Sequence, residues 1–85
     1  MENHLPESVS VRWQCRRGML ELDMMLLPFF ESQYEDLNFD EKIAFIDLLN
    51  APDQTLYQWL IGREEPETKT LQAILQKIRL FKWKE

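Results

Sequence analysis

The chain has few of the residues that enzymes and metal sites use most. Its 85 residues include one histidine, His4, and one cysteine, Cys15. Nucleophilic catalysis needs a base beside the nucleophile, and a histidine in a terminus that frays cannot supply one inside a shaped pocket. A lone cysteine cannot close an intramolecular disulfide and has no companion at metal-ligand spacing. These absences predict a non-enzymatic protein that binds no metal and works in a reducing compartment.

Long apolar runs and glycine-rich loops are missing as well. The longest apolar run, 24–30, holds seven residues, whereas a helix that spans a bilayer needs about 20. The two glycines, Gly18 and Gly62, are too far apart to form one phosphate-cradling loop. The first residues also lack the pattern of a secretion signal or an organelle transit peptide. We therefore expect a cytoplasmic protein with no membrane insertion and no cofactor of its own.

Charge argues against nucleic acid as a partner. The formal net charge is -5 and the pI is about 4.8, so most of the surface repels a phosphate backbone. Half of the cations follow Glu67: Lys69, Lys77, Arg79, Lys82 and Lys84. A basic tail that grips a partner would explain them, but cations also collect at the end of a final helix because its dipole is negative there. We favour the second interpretation.

The spacing of apolar residues predicts an all-α, compact five-helix bundle that forms a single domain over residues 1–85. No run of β-branched residues alternates with polar ones, and glycines and prolines separate short helical segments. Residues 1–7 are expected to be a flexible N-terminus and residues 81–85 a C-terminal tail. The first helix is predicted over Pro6–Arg17 and ends at Gly18. Along it, Val9 and Trp13 are four residues apart, as are Val11 and Cys15, so one side of the helix can pack while Arg12 and Arg16 face outward.

The remaining helices follow from local signals. The second begins near Met19 and reaches about residue 37, with a bend or split at Pro28. Asn38 and Glu41 form a capping box that starts the third helix at Phe39, and Pro52 ends it. Asp53 is placed to cap a short fourth helix that closes at Gly62. The fifth opens after Pro66 and carries the clearest amphipathic pattern: Leu71, Ile74, Leu75 and Ile78.

The junction of the first two helices concentrates unusual chemistry. Arg17, Gly18 and Glu21 lie within five residues, beside the apolar Met19. One interpretation is helix punctuation, in which Arg17 complements a helix C-terminus and Glu21 the next N-terminus, each contributing about 0.3–1 kcal/mol. The other is a protruding patch that presents a guanidinium fork and a carboxylate to a partner. The residues alone leave both open.

These residues resemble the succinate dehydrogenase assembly factor family of bacteria and mitochondria. The likeness rests on the Arg-Gly-x-x-Glu motif at 17–21, extended over 16–23, and on the later stretch 47–66; it covers about residues 9–80. The resemblance implies a five-helix bundle whose motif contacts a client protein. Carried over position by position, the partner-binding residues are Arg17, Gly18 and Glu21, with Met19 and Asp23 as neighbours and Arg12 and Trp13 as weaker candidates.

The resemblance also implies a function. The client would be the flavoprotein subunit of succinate dehydrogenase or of fumarate reductase, in which a client histidine attacks the 8α position of FAD. FAD would be the cofactor of the client, and this chain, expected to be a bacterial monomer, would act as a chaperone for flavinylation. The alternatives are an antitoxin-like regulator that covers a toxin partner, and an acidic helical adaptor of unrelated function.

Overall fold

The chain is all-α within residues 8–81, the part that the computed structural model describes, and no strand occurs in this range. The helices are α1 (Ser8–Cys15), α2 (Leu20–Gln33), α3 (Phe39–Leu48), α4 (Asp53–Leu60) and α5 (Lys69–Leu80), with a 3-10 turn at Tyr34–Asp36. The prediction of a five-helix, all-α protein is confirmed. The expected N-terminus, 1–7, and residues 82–85 of the expected tail lie outside the described residues.

A single core joins the five helices. Its most deeply buried side chains are Val11, Cys15, Leu22, Leu26, Phe29, Phe45, Leu48, Leu56, Ile74 and Leu75. Each buried side chain of the size of leucine or phenylalanine contributes about 1.5–3 kcal/mol of transfer free energy. Aromatic rings fill the middle of the core. The ring centroids of Phe29 and Phe45 are 5.7 Å apart, and the ring of Phe81 packs edge to face against that of Phe29. Phe81, the first residue of the expected tail, therefore packs on the core.

Helix α1 buries the face that carries Val11 and Cys15. Val9 and Trp13 are exposed, so the prediction that they pack as well is wrong. Both pairs are four residues apart, so periodicity alone could not choose between them in a helix of eight residues. The choice leaves the indole of Trp13 on the surface.

Helix α2 runs without a break through Pro28, so the helix is not split there, and the bend stays a prediction. A proline inside a helix costs about 3 kcal/mol because it removes one backbone hydrogen bond and crowds the preceding turn. Phe29 and Phe30 follow it directly and both are buried. Burial of two phenylalanine rings offsets that cost. No helix within residues 8–81 is long and apolar enough to cross a membrane.

Side-chain caps fix the N-termini of α3 and α5. The Asn38 side chain accepts a hydrogen bond from the Glu41 N–H at 2.8 Å, and the Glu41 carboxylate accepts one from the Asn38 N–H at 2.9 Å. The predicted capping box and the helix start at Phe39 are confirmed. Helix α5 begins after Thr68, whose hydroxyl accepts from the Leu71 N–H.

The expected cap at the start of α4 is wrong. The residue before the helix is Pro52, and no side chain caps its first turn; Asp53 is the first helical residue. Its carboxylate accepts a hydrogen bond from Arg17 instead. Gly62 ends α4 as predicted, in a left-handed conformation with φ +85°. The Nε–H of Arg79 then donates to the Trp59 carbonyl at 3.0 Å, which ties the end of α4 to α5.

Candidate functional site

The candidate site is the turn between α1 and α2, residues 16–19. Gly18 has φ +80°, the left-handed region that side chains with a Cβ rarely adopt. A Cβ built at this position would meet no atom within 4 Å. Glycine is therefore required here by the backbone conformation, while the space around its Cα is open on the side where a partner could approach.

The guanidinium of Arg17 points into the protein. Its Nε–H donates to Asp53 Oδ1 at 2.8 Å, and Nη2 donates to the Ala51 carbonyl at 2.7 Å. Nη1 donates to the carbonyls of Leu49 at 2.6 Å and Gln14 at 3.2 Å. Four of the five N–H donors of an arginine are thus engaged within the chain. Only 14% of the side chain is exposed.

The expectation of an outward fork formed by Arg17 and Glu21 is therefore wrong in its geometry. Glu21 is exposed, but within residues 8–81 it forms neither a hydrogen bond nor an ion pair with Arg17. A guanidinium needs acceptors wherever it loses water. The carbonyls of Leu49 and Ala51, which follow α3, accept hydrogen bonds from it.

The backbone of the turn is held as well. The Arg17 N–H donates to Asp23 Oδ1 at 2.8 Å, and the Asp23 N–H donates to the Met19 carbonyl at 3.0 Å. Met19 precedes α2 in an extended conformation and is half-buried against the core. Asp23 thus satisfies a donor of the turn from the first turn of α2, where a carboxylate is also favoured by the helix dipole.

The outer face of the site combines apolar and charged groups. Trp13 and Leu20 are each 68% exposed, and Gly18, between them in the sequence, and Glu21, directly after Leu20, are exposed as well. Arg12 is bonded to Glu31 through Nε at 3.1 Å. Both partners of that pair are half-exposed, so the pair contributes at most about 1 kcal/mol and can be rearranged cheaply. Such a face suits docking to another protein.

Behind the turn lies the only cysteine of the chain, and it offers no nucleophile. Cys15 has no exposed surface, and burial raises the pKa of its thiol to about 12. The reactive form of cysteine is the thiolate. Within residues 8–81 no three potential metal ligands converge either. Within residues 8–81 the site therefore offers neither a reactive thiol nor a cluster of metal ligands.

Comparison with known proteins gives a family and several relatives of the chain. A family model described as flavinator of succinate dehydrogenase matches residues 10–82. The chain belongs to this family. Proteins named FAD assembly factor SdhE are its relatives: one of Coxiella burnetii is 46% identical over 72 residues, which are 85% of this chain and 88% of that protein. One of Yersinia pseudotuberculosis is 44% identical over 69 residues, covering 81% and 78% of the two chains.

A third such relative, of Shewanella oneidensis, is 43% identical over 67 residues, 78% of this chain and 82% of that protein. The flavinator family is one of assembly factors, which accords with a helper role. Neither the family description nor these names mention a toxin, so the antitoxin alternative has no support.

The structure adds residues that the sequence did not nominate. Leu49, Ala51 and Asp53 surround the Arg17 guanidinium, yet they lie more than 30 positions away in the chain. No local pattern could reveal them, and the position of Asp53 after Pro52 suggested a helix cap. Leu20 and Met24 of α2 are apolar residues that the structure leaves exposed.

Proposed function

We propose that this chain promotes the covalent attachment of FAD to the flavoprotein subunit of succinate dehydrogenase. Membership of the flavinator family and the name shared by its relatives support the proposal. The observation that carries it is the α1–α2 turn, where an open glycine and an exposed carboxylate lie at the motif positions 17–21. FAD is the cofactor of the client and is not held by this chain.

The proposed contact surface consists of the groups that face outward at the turn. Gly18 lets the client backbone approach closely, and Glu21 accepts hydrogen bonds from a client donor. Trp13 supplies an amphipathic anchor of the kind that dominates protein interfaces, and Arg12 can exchange Glu31 for a client carboxylate. Met19 adds apolar contact at the edge of the surface. Arg17 and Asp23 belong to the motif but act from within the turn.

The chain acts without catalysing the chemistry itself. Its only cysteine is buried and has a raised thiol pKa, and its one histidine, His4, lies outside the described residues. A binding protein can raise the population of a reactive client conformation by no more than its preference for that conformation, and each 1.4 kcal/mol of preference is about a tenfold shift. The factor therefore selects the client state in which the flavin and its acceptor residue are aligned.

Further details extend the same proposal. The flavoprotein of fumarate reductase is a second client of the same kind. The three relatives come from bacteria, which supports a bacterial protein that works in the cytoplasm. A monomer is sufficient, because every group of the proposed surface belongs to one chain.

Glu21→Ala and Gly18→Arg test the function, with Glu64→Ala as the matched control on the exposed loop after α4. Each variant is expressed with the client subunit in cells that lack the native factor, and covalent flavin is read as fluorescence of the client band in a denaturing gel. We expect both site variants to fold, by circular dichroism, and to lower client fluorescence severalfold, while the control matches the unaltered protein. Full client fluorescence with both folded site variants would refute the proposed function.

A further inference from the structure

The loop between α3 and α4, residues 49–52, together with Asp53, the first residue of α4, encloses the guanidinium of Arg17. We propose that this loop and Asp53 form a positioning element that holds the α1–α2 turn in its client-binding conformation. The hydrogen-bonded side chain of Arg17 connects the element to the turn. The inference rests on the proposed function and adds to it residues remote from the motif in the sequence.

Each nitrogen of the guanidinium has its own acceptor in this element. Nε bonds Asp53 Oδ1, Nη1 bonds the Leu49 carbonyl and Nη2 bonds the Ala51 carbonyl, all between 2.6 and 2.8 Å. A planar group bonded at three nitrogens cannot rotate without breaking at least two of these bonds. Lysine, with a single ammonium, could not reproduce the arrangement.

The Arg17 side chain also joins the C-terminal ends of two helices. Gln14 lies in the last turn of α1, and Leu49 is the residue that follows α3. The last carbonyls of a helix lack partners within the helix, and the helix dipole makes them favour a cation. Arg17 donates to a carbonyl at each of these ends, so it fixes the end of α1 relative to the end of α3.

The turn is therefore held through two separate groups of Arg17, its side chain and its backbone N–H. The Arg17 side chain anchors it to the α3–α4 loop, and the Arg17 N–H anchors it to Asp23 of α2. These contacts restrict the conformations that the turn can adopt. Gly18 and Glu21 are therefore oriented before any client binds. Binding then loses less conformational entropy, which is how preorganisation raises affinity.

Asp53 is the part of this element that mutation can probe without removing the motif. Its side chain is 43% exposed, so its replacement leaves no cavity in the core. Asp53→Ala removes the acceptor of Nε, whereas Asp53→Asn keeps an oxygen there and loses the charge. Asp47→Ala is the matched control, because Asp47 is exposed on α3 and belongs to none of the ion pairs within residues 8–81.

Two measurements decide the inference. The first is the solvent exchange of the Arg17 Nε–H, read by NMR in the free protein. We expect Asp53→Ala to speed this exchange about tenfold or more by removing the only acceptor of that hydrogen, with a smaller effect for Asp53→Asn and none for Asp47→Ala. The amides of Phe45 and Leu75 in the core report whether the bundle itself is unchanged.

The second measurement is client flavinylation as a function of factor concentration. We expect the half-saturating concentration of Asp53→Ala to rise about tenfold, and that of Asp53→Asn about two- to threefold, because orientation is lost while the contacting groups remain. The plateau should be unchanged. Wild-type half-saturation in Asp53→Ala, or unchanged Nε–H exchange, would overturn the positioning role.

Glu21→Ala, run in parallel, separates this inference from the proposed function. If Glu21→Ala impairs flavinylation and Asp53→Ala does not, the positioning role is wrong and the function stands. If Glu21→Ala and Gly18→Arg both leave flavinylation intact, the proposed function is wrong, and Nε–H exchange in the free protein still shows whether Asp53 holds the turn.

Discussion

Gly18→Ala and Gly62→Ala form a pair that separates the fold from the function. Both glycines have left-handed φ, +80° and +85°, and a Cβ at either would meet no atom within 4 Å. The methyl group therefore clashes with nothing in the free protein, and the cost of either substitution is the backbone strain alone. That strain is about 1–2 kcal/mol for an ordinary L-residue in the left-handed region.

The two variants should thus lose similar stability but differ in function. For a domain of this size each kcal/mol lowers the melting temperature by about 4–8 °C, so both should melt roughly 5–15 °C below the unaltered protein. Only Gly18 lies at the α1–α2 turn. At a temperature well below both midpoints, Gly18→Ala should lower client flavinylation, because the added methyl occupies space that a client backbone would need, and Gly62→Ala should not.

Thermal unfolding followed by circular dichroism gives the first quantity, and fluorescence of the client band in a gel gives the second. Gly18→Asn adds a check, since asparagine tolerates the left-handed region better than alanine and should recover part of the stability. Equal loss of flavinylation in both alanine variants would show that stability alone accounts for the effect. A loss at Gly18 well above about 3 kcal/mol would show that the open space there has been misread.

Two further predictions concern titratable groups. Because burial raises the Cys15 pKa from 9.0 to about 12, iodoacetamide should label the native thiol far more slowly than the thiol in denaturant, and equal rates would contradict its burial. Stability should also fall as the pH rises above 9.0 toward 12, since only the unfolded chain then releases the thiol proton. At Glu41, the hydrogen bond from the Asn38 N–H and then the contact with Lys77 lower the carboxyl pKa. A lowered pKa in the folded state stabilises the fold above the unfolded pKa and is lost as the pH falls through the folded one. The stability difference between the unaltered protein and Glu41→Gln, measured by urea unfolding, should therefore be present near neutral pH and vanish in acid; a difference that persists in acid would contradict the cause assigned to the shift.

The sequence predicted those parts of the fold that depend on neighbours in the chain. The capping box at Asn38, the left-handed glycines and the amphipathic pattern of α5 are all local signals, and each is present. Pro28 was different, because its local cost is offset by the burial of Phe29 and Phe30, which depends on the rest of the core.

The candidate site was predictable in place but not in orientation. The motif located the turn, yet the direction of the Arg17 side chain depends on the carbonyls of Leu49 and Ala51. These carbonyls, which follow α3, come close to Arg17 only once the bundle has formed. The pair Arg17 and Asp53 is 36 positions apart in the chain, so no spacing rule could connect them. The spacing of apolar residues identifies the buried faces of helices. It does not predict hydrogen bonds between polar residues that are far apart in the chain.

The exposed indole of Trp13 gives the molecule an optical reporter of its own. Indole emission moves to shorter wavelength when water leaves its surroundings, and Trp13 lies on the proposed contact face while Trp59 is already half-buried against the core. With Trp59 and Trp83 replaced by phenylalanine, the remaining fluorescence would follow the docking of a partner in real time, without any dye attached to either protein.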